Sequence, residues 1–260
     1  MVKNRRGILV FAIVLVVIYF IISLIMNYAF KGKKYNNTVF IGDYTKVEIS
    51  NKNIKVYNDN SKIRKQDAKI YFQKEIIDGY VMSENTGINN GLNEYYAYNK
   101  KNEVLSFESV LIAYTKDLTL KFIDFENNES DDIELAKSIL KANNIIVSDD
   151  IELNTFNISS LDYDNDGNTE YIYSIGLIED ETEYDSYIYL MKDDEYHLIT
   201  REESDYNSIE YTRLYFSNLI DFNSDNDYEF VVSKVTSEYG PNYYELYNFD
   251  GDSFTKIGGE

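Results

Sequence analysis

The chain reads as a mainly β protein of antiparallel strands and hairpins, with one short helix and one N-terminal transmembrane helix. Three observations lead there. Short runs rich in Tyr, Ile, Val and Phe, bounded by Asn, Asp and Lys, recur along most of its length, the pattern of half-buried strands between turns. A nine-residue acidic loop occurs twice, 59 positions apart, which marks an internal repeat. Residues 8–26 are apolar apart from Tyr19 and Ser23, a run of 19 that spans a hydrocarbon core of about 30 Å as a helix.

That apolar run is longer than the core of a cleaved signal peptide, and Asn27-Tyr28-Ala29-Phe30 offers no small-residue cleavage site. The chain has no cysteine, so a lipoprotein anchor is excluded. Lys3, Arg5 and Arg6 precede the run, and Lys31, Lys33 and Lys34 follow it. The positive-inside rule is therefore balanced. The terminal amine and the position at the very start favour a cytoplasmic tail (1–7), an anchor (8–27) and an extracytoplasmic remainder. The absence of cysteine fits an exported bacterial chain without disulfides.

Residues 28–44 read as a polar tether, and 45–128 as an N-terminal β region. Within that region Val47-Glu48-Ile49, Ile54-Lys55-Val56-Tyr57, Ile70-Tyr71-Phe72, Gly79-Tyr80-Val81-Met82 and Leu118-Thr119-Leu120-Lys121-Phe122 are the expected strands. A hairpin is expected from Tyr95-Tyr96-Ala97-Tyr98 into Val104-Leu105-Ser106-Phe107. The segment 129–144 reads as the one soluble helix, running from about Asp131 to Ala142. Ser130 is its expected N-cap, and Ile133, Ala136, Ile139 and Leu140 make its apolar face.

Residues 150–260 carry the two copies, at about 157–200 and 216–257. The first loop is Asp162-Tyr163-Asp164-Asn165-Asp166-Gly167-Asn168-Thr169-Glu170. Acids stand at positions 1, 3, 5 and 9, and a glycine at 6 permits a sharp reversal. The second loop, Asp221 to Glu229, places Asp221, Asn223, Asp225 and Glu229 at the same offsets, with Asn226 where the first has glycine. Hard oxygen donors at this spacing suit Ca2+, with Mg2+ second. Each loop is followed by a strand and then a hairpin. One hairpin turns at Asp193-Asp194 into His197-Leu198-Ile199; the other turns at Asp250-Gly251 into Phe254-Thr255-Lys256-Ile257.

An EF-hand requires a bidentate Glu at position 12 and flanking helices, but position 12 is Tyr173 in one copy and Val232 in the other. Calcium loops set between strands, with the last acid at position 9, resemble the FG-GAP/VCBS repeats of integrin-α-type β-propellers. The resemblance covers about residues 157–257 and implies propeller-blade-like repeats. It implies side-chain ligation by Asp162, Asp164, Asp166 and Glu170, with the Asn168 carbonyl. In the second copy it implies Asp221, Asn223, Asp225 and Glu229, with the Asp227 carbonyl. The Phe-Gly and Gly-Ala-Pro signatures of the family are absent, and Glu stands where Asp is commoner at the last ligand. With one carboxylate fewer, the second loop is expected to bind more weakly.

The chemistry of an enzyme is not apparent. His197 is the only histidine, and cysteine is absent, which leaves no basis for thiol catalysis or structural zinc, and His197 in its expected hairpin strand stands at no usual Ser-His-Asp spacing. The acidic cluster Glu179-Asp180-Glu181 with Glu183 and Asp185 reads as a solvated connection. All 45 acidic residues follow the anchor, against 19 basic ones from residue 35 on, which leaves about −26; such a surface does not bind nucleic acid. The expected function is a membrane-anchored extracytoplasmic calcium-binding β-domain that serves as an interaction module for a protein or glycan partner. The alternatives are a cell-wall carbohydrate-binding or carbohydrate-active protein and an accessory subunit of an envelope assembly.

Overall fold

In a computed structural model, the residues described are 16–21, 34–50, 53–58, 61–85, 93–105, 112–148, 151–179, 183–204, 212–236 and 242–258. They form three antiparallel sheets and one helix beyond the N-terminal segment, so the mainly β expectation holds.

The N-terminal sheet has seven strands: β1 (Thr38–Ile41), β2 (Thr45–Ser50), β3 (Asn53–Asn58), β4 (Gln66–Phe72), β5 (Glu75–Asn85), β6 (Asn93–Asn99) and β7 (Ile112–Thr115). Their spatial order is β3-β2-β1-β7-β4-β5-β6. Here the expected tether is corrected. Thr38-Val39-Phe40-Ile41 is a central strand with all four residues buried, pairing β2 on one side and β7 on the other. A four-residue run between Asn36-Asn37 and Gly42-Asp43 is too short to reveal period-2 alternation, and both faces of this strand are covered.

Two further strands, β8 (Lys121–Phe122) and β9 (Glu126–Glu129), precede the helix Ile133–Ala142. Next come β10 (Glu152–Leu161), β11 (Glu170–Glu179), β12 (Glu183–Lys192) and β13 (Glu195–Ser204), then β14 (Thr212–Asp221), β15 (Glu229–Thr236), β16 (Asn242–Phe249) and β17 (Phe254–Ile257). The outer sheet is ordered β13-β12-β11-β10-β9, and the middle sheet β17-β16-β15-β14-β8. Thus each acidic loop joins the first two strands of a four-stranded meander. The expected strand at 118–122 shrinks to two residues, and β8 and β9 leave the N-terminal region to edge the two later sheets.

The sheets stack in series. Val39, Ile41, Val47 and Tyr114 of the N-terminal sheet pack on Phe222, Val231 and Leu246 of the middle sheet. The opposite face of the middle sheet, with Leu219, Phe230 and Val232, packs on Leu161, Ile172 and Leu190 of the outer sheet. Burial on both faces explains why Phe230-Val231-Val232 is a continuous apolar run rather than an alternating one. Ala136, Ile139 and Leu140 of the helix then cover the far face of the outer sheet, against Phe156, Tyr173 and Ile175. The N-cap is Asp132 rather than Ser130: its Oδ1 accepts the Leu135 N–H at 3.0 Å, while Ser130 Oγ accepts the Asp132 N–H at 3.2 Å.

Three sheets are fewer than the four blades a closed propeller needs. The two ends of the stack are covered by the helix on one side and by Ile63 and Leu105 on the other. Residues 16–21 are helical with exposed side chains. Among the described residues no helix is long and apolar enough to cross a membrane; the remainder of the expected span lies outside them, as does the tail 1–7.

Candidate metal centre

Each acidic loop begins where an inner strand ends. Leu161 and Glu170 are paired across the β10–β11 ladder, and Ile220 and Glu229 across β14–β15, so the sheets fix both stems of each loop at the same spacing. Inside the loops, five hydrogen bonds recur at the 59-residue offset. The N–H of position 2 donates to the position 9 carboxylate: Tyr163 to Glu170 at 2.8 Å, Phe222 to Glu229 at 3.2 Å. The N–H of position 5 donates to positions 1 and 3: Asp166 to Asp162 and Asp164 at 3.1 and 3.2 Å, Asp225 to Asp221 and Asn223 at 3.2 and 3.1 Å. Gly167 and Asn226 donate to the other oxygen of position 1 at 3.1 and 3.2 Å. Asn168 and Asp227 donate to position 5 at 2.7 and 3.0 Å.

The backbone matches as well. Positions 4 and 6 both take left-handed φ: 59° and 88° at Asn165 and Gly167, 61° and 70° at Ser224 and Asn226. Glycine is free to adopt such an angle, and asparagine is among the few other residues that accept it. The match ends at the third strand, where Tyr171 pairs Met191 but Phe230 pairs Tyr247.

In the first loop, oxygens of Asp162, Asp164 and Asp166 lie within 4.8 Å of one another. Two oxygens bound to one Ca2+ at 2.3–2.6 Å are at most about 5 Å apart, so this donor set fits a hard cation. Among the described residues no comparable trio of acids forms in the second loop, where position 3 is the amide Asn223. Glu170 and Glu229 are both 4 % exposed, and each staples the start of its loop to its end through the N–H of position 2. Asn168 also donates through its side chain to Asp166, at 2.8 Å.

No family model, curated protein or solved structure matches the chain. The site is therefore read from its own electrostatics. Burial pushes the Glu170 carboxyl above its ordinary range, and burial with Asp225 and Asp221 nearby pushes Glu229 up to about 8. The two hydrogen bonds from Asn168 hold Asp166 below the usual carboxylate range.

Two lysines that the loop pattern does not reveal reach the acids. The Lys192 ammonium pairs with Asp164 and stands 4.7 Å over the Tyr163 ring. Burial works against its charge, but Asp164, Tyr163 and Glu170 together outweigh that and raise its pKa. Lys121 lies 3.6 Å from Asp221, which is fully buried, and donates to Asn226 Oδ1 at 2.5 Å. The position 2 aromatics, also unmarked by the ligand pattern, seat the loops: Tyr163 packs 5.7 Å from Phe230 and 6.2 Å from Phe249, and Phe222 is 1 % exposed in the core. His197 Nδ1 lies 3.0 Å from the Asp252 carbonyl, with its ring against Phe249. In the acidic connection, residues 180–182 lie outside the described residues, and Asp185 accepts the Tyr187 hydroxyl at 3.3 Å.

Proposed function

We propose that the chain is a calcium-binding β module of the extracytoplasmic face, held at the membrane by its N-terminal apolar segment, in which ions brace the sheets that present an interaction surface. The observation that carries this reading is the recurrence of five loop hydrogen bonds at one offset, together with the convergence of three carboxylates in the first loop. Asp162, Asp164, Asp166 and Glu170, with the Asn168 carbonyl, would hold the first ion. Asp221, Asn223, Asp225 and Glu229, with the Asp227 carbonyl, would hold the second. The loops and their meanders are read as repeats of the FG-GAP/VCBS type, set in a stack rather than a closed ring.

Bound Ca2+ supplies positive charge that relieves repulsion among the carboxylates, and millimolar calcium outside cells suits such sites. An ion that binds only the folded chain adds about 2.7 kcal/mol at one hundred times its Kd. Thermal melts in calcium and in EGTA test the bracing role, and an unchanged midpoint would remove it. Calcium titration of Asp162→Ala and Asp221→Ala tests the ranking. The first variant is expected to lose the tighter site and the second the weaker; equal affinities would overturn the order.

A further inference from the structure

We propose that the cleft between the two acidic loops binds a single neutral sugar residue, such as the terminal pyranose of a glycan. This deepens the reading above, since the ions would fix the cleft's two walls. The cleft encloses about 250 Å3 and is walled by Asn165 of the first loop, Asp227 and Tyr228 of the second, and Asn248 and Phe249 at the end of β16. That volume falls just below the roughly 300 Å3 at which pockets for larger ligands begin, so it admits one ring rather than an extended chain.

The lining selects among ligands. In the ion-free loop the Lys192 ammonium occupies Asp164 and the Tyr163 ring face, and in the loaded loop Ca2+ takes Asp164, so in neither state is that seat open to a ligand cation. The Asp227 carboxylate disfavours anions. Among the described residues, the side chains of Asn165, Tyr228 and Asn248 make no hydrogen bond to protein. Carboxamides and a phenol both donate and accept, as sugar hydroxyls do, and the half-buried Tyr228 and Phe249 supply apolar carbon beside them.

The test applies the full chain in calcium to an array of glycans ending in neutral hexoses or N-acetylhexosamines, with a lysine-rich peptide alongside. Binding to at least one neutral glycan is expected. It should weaken severalfold in Tyr228→Phe, which keeps the ring packed on the core, and at least tenfold in Asn248→Ala, while calcium titrations and melts of both variants match the parent. A parent that takes up calcium but no neutral glycan would overturn the proposal, as would capture of the peptide instead, or variants that bind the glycan as the parent does. Glycan binding lost in the variants of a protein that ignores calcium would uphold the cleft and remove the ions from it.

Discussion

Lys192 occupies the electrostatic role that a bound divalent ion would take over in the first loop. The pair is partly exposed, so its contribution is about 1 kcal/mol rather than the larger value of a dry ion pair. Lys192→Met is expected to bind calcium several-fold more tightly and to melt lower in EGTA; calorimetric titration and melts that match the parent would show that the ammonium is a bystander. Glu229 predicts a pH dependence of the ion-free protein. Its carboxyl ionises near pH 8 in the fold but near its ordinary 4.5 when unfolded. The unfolded chain therefore gives up this proton first, so the group's stabilising effect is complete below about 4.5 and is lost as pH rises to 8. Melting points in EGTA should fall from pH 5.5 to 8.5, and Glu229→Gln should flatten that fall; a profile identical to the parent's would remove Glu229 as its cause. The acid spacing of both loops was legible in the sequence because each loop's internal hydrogen bonds span seven residues or fewer. Lys192 and Lys121 were not, because strand register alone brings them in: with Met191 opposite Tyr171, Lys192 falls beside the loop stem.

The two hairpins of residues 150–260 were the most legible elements, whereas the one expected from Tyr95–Tyr98 pairs only through a Tyr98–Val104 bridge among the described residues. Asp193 and Asp194 have φ of 52° and 64°, and Gly251 has 99°, which are the left-handed turn positions that Asp-Asp and Asp-Gly announce. The helix was legible through its apolar face, while its start was misplaced by two residues because Ser130, Asp131 and Asp132 are all plausible caps and local sequence does not rank them. Asp132→Ala is expected to cost about 1 kcal/mol and Ser130→Ala less; denaturant unfolding that ranks them the other way would return the cap to Ser130. β1, and the short extent and sheet of β8, were illegible for a different reason. They have four and two residues, and their partners lie 71 residues or more away in the cases of β7 and β14, so tertiary pairing rather than local pattern defines them.

At the level of the whole molecule, the middle sheet is buried on both sides, which joins the two halves of the chain into one cooperative body. A fragment starting at residue 129 would expose Phe222, Val231, Tyr244 and Leu246 to water. It is expected to aggregate or to melt far below the intact protein, whereas the domain from residue 34 onward should unfold in a single transition. Circular dichroism and light scattering would check both, and a soluble, stable fragment would mean that the N-terminal sheet is an independent unit. The acidic surface keeps such a body dispersed without defining its shape. The link between Tyr244 N and Thr45 Oγ1 spans 199 positions, and it bears on synthesis. Strand β1 leaves the ribosome early, yet its neighbour β7 follows only some 70 residues later and the sheet that covers it comes last of all. During that interval Val39, Phe40 and Ile41 have no lasting shelter, so assembly should be slow, and a holding chaperone would find this segment open until the later sheets close over it.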